Sequence, residues 1–214
     1  MTSDRLRPRS PEETYDLVVQ KARRDLPYRE PHLVAARAGV VYRRLTDESG
    51  EFDVPFWGRQ FVVSYPDGIV AVAGTGERPP IAERILTLHY LLTADGAPMA
   101  DNWVAFRGLP GGMGYAPAFE GRANNRLKRA FGYDAEGFRK AAEALSGERL
   151  AFGDASYMFR IFPKLWLAVV LYLADEEFGA SASVLFDGAA SHYLPTEDIA
   201  VVGGMLAGRL IKAK

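Results

Sequence analysis

The chain of 214 residues contains no cysteine. Disulfide bonds, thiolate nucleophiles and cysteine-bound zinc or iron–sulfur clusters are therefore excluded from its chemistry. A charge of one sign is also missing, because 26 basic and 27 acidic side chains leave a formal net charge of −1. Without a basic excess, no overall field attracts nucleic acid or an anionic membrane, and the sequence predicts neither as a partner.

Long apolar runs are missing as well. The longest, residues 165–174, is about half of the roughly 20 residues that a membrane-spanning helix needs. Residues 1–11 are polar and arginine-rich, and no apolar stretch follows them, which is not the pattern of a secretory signal. These absences favour a cytoplasmic protein with no membrane partner.

The residues that are present suit a globular fold. Hydrophobic residues make up 48% of the chain and aromatic residues 12%, which is enough for a sizeable core. A chain of this length is typical of one domain. We therefore expect a flexible N-terminus at residues 1–10 and a single domain at residues 11–214.

Helix and turn signals organise the first third of the chain. Ser10, followed by a proline and two acids, predicts a helix to about residue 25. A second short helix is expected at residues 30–38, ended by Gly39. Residues 40–73 then place alternating β-branched and aromatic residues between turn signals such as Tyr-Pro-Asp-Gly at residues 65–68, which predicts an antiparallel meander.

The same signals place the remaining elements. The predictions are a buried apolar helix at 81–93, a short strand at 103–106, a glycine-rich loop at 109–117, helices at 119–131 and 134–145, strands at 157–162, 165–174 and 181–186, and a last helix at 196–211. Gly203 and Gly204 inside the last helix indicate close packing, because each costs about 1 kcal/mol relative to alanine. The expected fold class is α+β, with mostly antiparallel sheets packed against a buried central helix and a C-terminal helix.

Two of the three histidines stand in similar motifs, Leu-His-Tyr-Leu at residues 88–91 and Ser-His-Tyr-Leu at residues 191–194. Imidazole is the commonest metal ligand among side chains, so the two rings are candidates to share a ligand, provided that the second motif meets the central helix. The predicted ligand or cofactor contacts are His89, Tyr90, His192, Tyr193 and Glu197, and the predicted metal ligands are His89, His192 and Glu176. The alternative is a buried histidine bonded to backbone and a loop histidine that packs.

Acidic residues form the second candidate site. Asp175, Glu176 and Glu177 directly follow a predicted strand, where carboxylates can bind a cation or act as acid and base. With His192 they predict metal-assisted hydrolase or lyase chemistry in a concave pocket that contains a carboxylate of raised pKa. The alternative is a solvated turn that protects the sheet edge. A third hypothesis is a protein–protein interaction module, such as a homodimer formed through exposed aromatic side chains.

Several ordered motifs resemble one family. They are the octapeptide at residues 61–68, Leu-His-Tyr-Leu-Leu at 88–92, Phe-Arg-Gly-Leu-Pro-Gly-Gly at 106–112, Asp-Glu-Glu-Phe at 175–178, Leu-Phe-Asp at 185–187 and His-Tyr-Leu-Pro-Thr-Glu-Asp at 192–198. In these motifs the chain resembles the uncharacterised prokaryotic domain-of-unknown-function family numbered 3786, over about residues 12–212.

The resemblance implies a setting rather than a reaction. Members occur largely in anaerobic bacteria and archaea, and some carry a cysteine-rich iron–sulfur module, which this cysteine-free chain lacks. Tyr-Leu-Ala-Asp at residues 172–175 departs from the Trp-Glu-Gly-Asp-like form of relatives, so no acid stands at positions 173 and 174. The leading hypothesis is a non-catalytic accessory protein of anaerobic metabolism that binds a small-molecule ligand or a cofactor, either a metal ion or a tetrapyrrole.

Overall fold

A computed structural model describes residues 10–214. The expected flexible N-terminus therefore lies, except for Ser10, outside the described residues. The helices are α1 (Pro11–Asp25), α2 (Pro31–Ala38), α3 (Ile81–Thr93), α4 (Gly112–Arg122), α5 (Asn124–Phe131), α6 (Ala135–Ala144) and α7 (Thr196–Lys212). The strands are β1 (Val41–Arg44), β2 (Gly50–Phe56), β3 (Arg59–Tyr65), β4 (Val70–Val72), β5 (Trp103–Ala105), β6 (Glu148–Arg149), β7 (Ala155–Phe162), β8 (Leu165–Tyr172) and β9 (Ser181–Asp187).

All strand pairs of the described residues are antiparallel, and they form a four-stranded and a five-stranded sheet. The first is the predicted meander in chain order, β1-β2-β3-β4, and the second has the order β5-β9-β8-β7-β6. The backbone N–H of Trp57, in the turn between β2 and β3, donates to the carbonyl of Ile161 in β7 at 2.9 Å and so links the two sheets. The α+β prediction is confirmed.

Local signals fix the first two helices as predicted. The hydroxyl of Ser10 accepts a hydrogen bond from the N–H of Glu13 at 3.2 Å, and the Glu13 carboxylate accepts one from the N–H of Ser10 at 2.7 Å. This reciprocal pair satisfies two donors that the first turn of α1 would otherwise leave without partners. Gly39, with a φ of +67°, ends α2 in the left-handed conformation that favours glycine.

The central helix and the last helix contribute buried side chains to the core, as predicted. In α3, Ile85, Leu86, Leu88 and Leu91 are buried, and in α7 the buried positions follow the helical period. Among residues 10–214, no helix combines the length and apolar character that crossing a membrane requires.

The glycine-rich loop predicted at residues 109–117 is wrong, because α4 already begins at Gly112. The helix is stabilised by a tertiary contact: Phe119 stacks on Phe106 with ring centroids 4.4 Å apart. Gly112 lies so close to the carbonyl oxygen of Phe106 that a Cβ would collide with it. The predicted helix at 119–131 is also divided, since the backbone of Ala123 leaves the helical region and separates α4 from α5.

Gly203 and Gly204 in α7 differ in their surroundings, and we expect alanine to have opposite effects at the two positions. A Cβ at Gly203 would lie 2.6 Å from Cε2 of Phe119, whereas one at Gly204 would meet nothing within 4 Å. Gly203→Ala should lower the free energy of unfolding by about 1–3 kcal/mol through overpacking. Gly204→Ala should raise it by up to about 1 kcal/mol through helix propensity. Urea denaturation measures both, and shifts of the same sign would show that the Phe119 contact does not decide the outcome.

Candidate functional site

The two histidine motifs meet where α3 ends and α7 begins. Nδ1 of His89 lies 2.5 Å from Oδ2 of Asp198, and Nδ1 of His192 lies 2.6 Å from Oδ2 of Asp95. The two pairs are crossed, because His89 belongs to α3 and its partner to α7, whereas His192 precedes α7 and its partner follows α3. An ionised carboxylate can only accept, so each Nδ1 donates and Nε2 is the remaining ring nitrogen. Carboxylates orient metal-binding imidazoles in the same way.

Tyr90 and Tyr193, predicted as ligand contacts, lie in the core beneath the histidines. Both side chains are fully buried, and their rings are stacked with centroids 5.9 Å apart. The hydroxyl of Tyr90 donates to the carbonyl of Ala38 at 2.6 Å, and that of Tyr193 donates to the carbonyl of Ala97. Their polar groups therefore bond backbone, and the two residues support the segments that carry the histidines.

The other two predicted residues, Glu197 and Glu176, do not complete a metal-binding group within the described residues. Glu197 is exposed and accepts a hydrogen bond from the hydroxyl of Tyr115 at 3.3 Å. Glu176 lies in the exposed turn between β8 and β9. Within residues 10–214 no group of three or more histidine or carboxylate side chains is placed to hold a metal ion, so His89, His192 and Glu176 do not form such a group. Metal or tetrapyrrole binding by the histidines stays a prediction.

Hydrogen bonds within the acidic turn hold its conformation. Oδ1 of Asp175 accepts from the N–H of Glu177 at 2.9 Å and from that of Phe178 at 2.6 Å. These two bonds lower the pKa of Asp175, whereas an acid catalyst at neutral pH needs a raised one. All three acids of the turn are exposed, and His192 pairs with Asp95 instead. The geometry thus resembles the solvated-turn alternative more than a hydrolase or lyase centre.

Exposed aromatic side chains are present but belong to separate segments. Tyr28 and Tyr133 are each 88% exposed, and Phe178 is 70% exposed. Tyr28 follows α1, Tyr133 follows α5, and Phe178 lies between β8 and β9. The segments of Tyr133 and Phe178 are neighbours in space, since the N–H of Ala174 donates to the carbonyl of Gly132 at 3.1 Å. A homodimer or an interaction module stays a prediction.

A feature that sequence reasoning missed is a cavity of about 410 Å³ where the β2–β3 turn approaches β7 and α7. Its walls are mostly apolar and include Leu145, Phe159 and Phe162. Its charged lining residues are Arg160, Arg209 and Glu148. This volume lies in the range of about 300–1,000 Å³ that is usual for small-molecule sites.

Two residues on the wall of this cavity have left-handed backbone conformations that are uncommon outside glycine. Trp57 has a φ of +54° and Ser146 a φ of +57°. Trp57 and Gly58 are the central residues of the two-residue turn between β2 and β3, where Asn-Gly or Asp-Gly is the usual pair. A tryptophan before a glycine between two predicted strands is the sequence signal that could have located this site.

Arg209 connects the cavity to a buried carboxylate. Its guanidinium carbon lies 4.2 Å from the ring centroid of Trp57, and its Nη2 lies 3.2 Å from Oε1 of Glu83. Arg59 donates to the other oxygen of Glu83 at 2.8 Å. Burial lowers the pKa of Arg209, the Glu83 carboxylate opposes that shift, and the charge of Arg59 reinforces it.

The fold and the cavity together define an α+β protein with two antiparallel sheets and a pocket of ligand size close to their contact. The chain belongs to the family described as a domain of unknown function (DUF3786), whose model matches residues 30–209. The resemblance of its motifs is thereby confirmed. No curated protein and no solved structure matches the chain.

Proposed function

We propose that this protein binds a small organic anion without transforming it, and that the ligand occupies the cavity beside Trp57. Ligand binding was expected of the two histidines. The cavity supports ligand binding better, because its volume of about 410 Å³ accommodates a small molecule. It is separate from the histidine pairs, since none of its lining residues is a histidine. This cavity is the observation that carries the proposal.

The lining favours a ligand with an apolar body and one negative group, because its two arginines outnumber its one carboxylate, Glu148. Phenylalanine and leucine side chains supply an apolar surface, and the indole of Trp57 forms one wall. Arg160 stacks on Trp166 with its guanidinium carbon 4.5 Å from the ring centroid, which presents the planar cation in a fixed orientation. An anionic group beside Arg160 and Arg209 would find donors suited to carboxylates and phosphates.

Backbone strain at the cavity also supports a binding role. A non-glycine residue in the left-handed region costs of order 1–3 kcal/mol, and such residues concentrate at ligand sites, where the surrounding structure enforces them. Trp57 and Ser146 approach the cavity from different segments, one from the β2–β3 turn and one from the end of α6. Each conformation also serves its own element, since Trp57 is the first central residue of the hairpin turn and the N–H of Gly147 donates to the carbonyl of Ala142 at 2.8 Å where α6 ends.

The same lining favours binding over catalysis. Nucleophilic catalysis by serine needs a base within hydrogen-bond reach, and among the described residues no hydrogen bond joins the hydroxyl of Ser146 to a base. The candidate bases His89 and His192 pair with Asp198 and Asp95, away from this cavity. We assign these crossed pairs to holding α3 and α7 together, next to the Tyr90 and Tyr193 stack.

Binding of 1-anilinonaphthalene-8-sulfonate, which joins an apolar ring system to one anionic group, tests this proposal. We expect saturable fluorescence enhancement with the parent protein. Trp57→Asn removes one wall of the cavity but suits the turn, because asparagine tolerates the left-handed conformation. It should weaken binding by about tenfold, the loss expected when part of an apolar contact is removed.

Two arginine variants provide a matched comparison. Arg160→Gln removes a guanidinium that lines the cavity, whereas Arg149→Gln removes an exposed one on neighbouring β6 that does not. We expect weaker binding of the sulfonate only for Arg160→Gln. Dissociation constants that stay at the parent value in both Trp57→Asn and Arg160→Gln would rule out this cavity as the binding site.

A further inference from the structure

A second cavity, of about 310 Å³, contains a concentration of positive charge. It is lined by Arg23 from α1, Arg78 from the segment after β4 and Arg84 from α3, together with small and apolar residues of the β3–β4 turn and of β4. Arg84 is 92% buried, since its exposed fraction is 8%. Arg23 and Arg78 are exposed, and three arginines around one small cavity produce a positive potential that favours an anion.

Arg84 lacks the partners that a buried charge requires. Among the side chains that the structure describes, none forms a salt bridge or a hydrogen bond with its guanidinium, and Nε is the one guanidinium nitrogen that is completely enclosed without a partner. The neighbouring buried charge on the same helix behaves differently, because Glu83 contacts both Arg59 and Arg209. Removing a guanidinium from water without compensation is expensive, so a buried arginine normally has a carboxylate or another anion beside it.

The charges around Arg84 are predominantly positive. Burial lowers its pKa, and the charges of Arg78 and Arg23 lower it further. The exposed carboxylate of Asp16 on α1 acts in the opposite direction but forms no ion pair with Arg84 within the described residues. Asp16 therefore offsets part of the positive charge around Arg84 without pairing with its guanidinium.

The neighbouring backbone holds Arg23 in place. Its Nε donates to the carbonyl of Asp67 at 2.6 Å. Gly68, with a φ of +64°, permits this approach, because a Cβ there would lie only 3.0 Å from Cγ of Arg23. The hydrogen bond engages Nε, whereas no side-chain hydrogen bond of the described residues occupies the terminal nitrogens of Arg23. Preorganised guanidinium groups of this kind suit bidentate contacts to phosphate oxygens.

We infer that Arg23, Arg78 and Arg84 form a binding site for a phosphate group, separate from the cavity beside Trp57. Its volume exceeds what a single phosphate fills, and Val19, Ile69 and Val70 contribute an apolar surface beside the arginines. Free phosphate and a small phosphate ester share the recognised chemistry. An ester would use the apolar surface as well and should bind more tightly.

Isothermal titration calorimetry of the full chain with inorganic phosphate, glycerol 3-phosphate and chloride, at constant ionic strength, tests the inference. We expect saturable binding of the two phosphates and none of chloride. Tighter binding of glycerol 3-phosphate indicates a phosphate ester as the natural ligand, and tighter binding of inorganic phosphate indicates the free anion. Failure of both to bind the parent protein overturns the inference.

Three variants locate the site. Arg84→Met keeps an apolar stem while it removes the buried charge, and it should weaken phosphate binding by about tenfold or more. Its thermal midpoint in phosphate-free buffer should equal or exceed that of the parent, because an uncompensated charge is lost. Arg78→Gln changes an exposed residue of the cavity, so it preserves the test if Arg84→Met folds poorly.

The control for these variants is Arg24→Gln. Arg24 is adjacent to Arg23 on α1 and is exposed; it lines a neighbouring cavity that Arg23 also borders, and it does not line the arginine cavity. Phosphate should bind this variant with the affinity of the parent, and it should bind Trp57→Asn equally well because the two cavities are independent. Equal phosphate affinity in Arg78→Gln, Arg84→Met and Arg24→Gln would show that the arginine cavity is not the site.

Discussion

Replacing Tyr90 by alanine should lower the free energy of unfolding by about 3–5 kcal/mol, the usual loss for a large buried aromatic side chain. The ring is fully buried in α3 and lies nearly parallel to that of Phe162, with centroids 4.2 Å apart. Tyr193 stacks on it as well. Side chains from α3, from β7 and from the segment before α7 therefore meet at this ring, and its removal leaves a void between them. Urea denaturation followed by circular dichroism measures the loss.

Tyr90→Phe separates the contribution of the hydroxyl from that of the ring. The hydroxyl donates to the carbonyl of Ala38 at 2.6 Å and accepts from the N–H of Lys164 at 3.0 Å. Its loss leaves these two backbone groups without their partner, at an expected cost of about 1–3 kcal/mol. Tyr133→Phe, at an exposed position, should change stability by less than about 0.5 kcal/mol. Equal values for the two variants would contradict the bridging role of the hydroxyl.

The pH dependence of stability reports on the same hydroxyl. Burial raises the pKa of Tyr90, although the N–H of Lys164 partly opposes this shift. With its pKa higher in the folded state, Tyr90 ionises first in the unfolded chain, so its contribution is complete below the unfolded value of about 10 and is lost as the pH rises further. Tyr90→Phe should therefore show a shallower alkaline decline in stability than the parent.

Elements with signals in their own residues were predictable from the sequence. Ser10 and Glu13 form the cap of α1 by themselves, and Gly39 ends α2 through its own backbone conformation. The start of α4 was not predictable, because Gly112 follows a turn and the helix depends on the stacking of Phe119 on Phe106. Glycine-rich segments favour loops in isolation, and tertiary packing overrides that preference here.

The candidate sites, too, were predictable only where the residues themselves carry a signal. The sequence left open whether the segments of His89 and His192 meet, and the structure places them side by side, with the N–H of Asp95 donating to the carbonyl of His192 at 3.3 Å. The carboxylate partners of the two histidines lie 109 and 97 residues away along the chain, so no short-range spacing in the sequence indicates these pairs. Arg84 did leave a signal: it is a charged residue in the helix that was predicted to be apolar nearly all round. A charged side chain in a buried helix needs a partner, and the fold decides which group that partner is.

Glu83 is the charged residue of α3 that has found its partners, and Glu83→Gln should lower the free energy of unfolding by about 3 kcal/mol. Removing one member of a buried ion pair commonly costs about 3–5 kcal/mol, and the lower end applies because both guanidinium groups keep partial exposure. The change leaves Arg209 and Arg59 facing an uncharged amide, with their mutual repulsion no longer offset. Chemical denaturation of the parent and the variant measures the difference.

Arg59→Gln is the matched control, because the side chain of Arg59 is 41% exposed and that of Arg209 is 29% exposed. Loss of the more exposed partner should cost less than about 1 kcal/mol. If Arg59→Gln cost as much as Glu83→Gln, the buried carboxylate would not be the centre of the network. Arg209 also lies over Trp57 and lines the proposed ligand cavity. In Glu83→Gln no carboxylate offsets the charge of Arg209, so binding of the anionic 1-anilinonaphthalene-8-sulfonate should be tighter than in the parent.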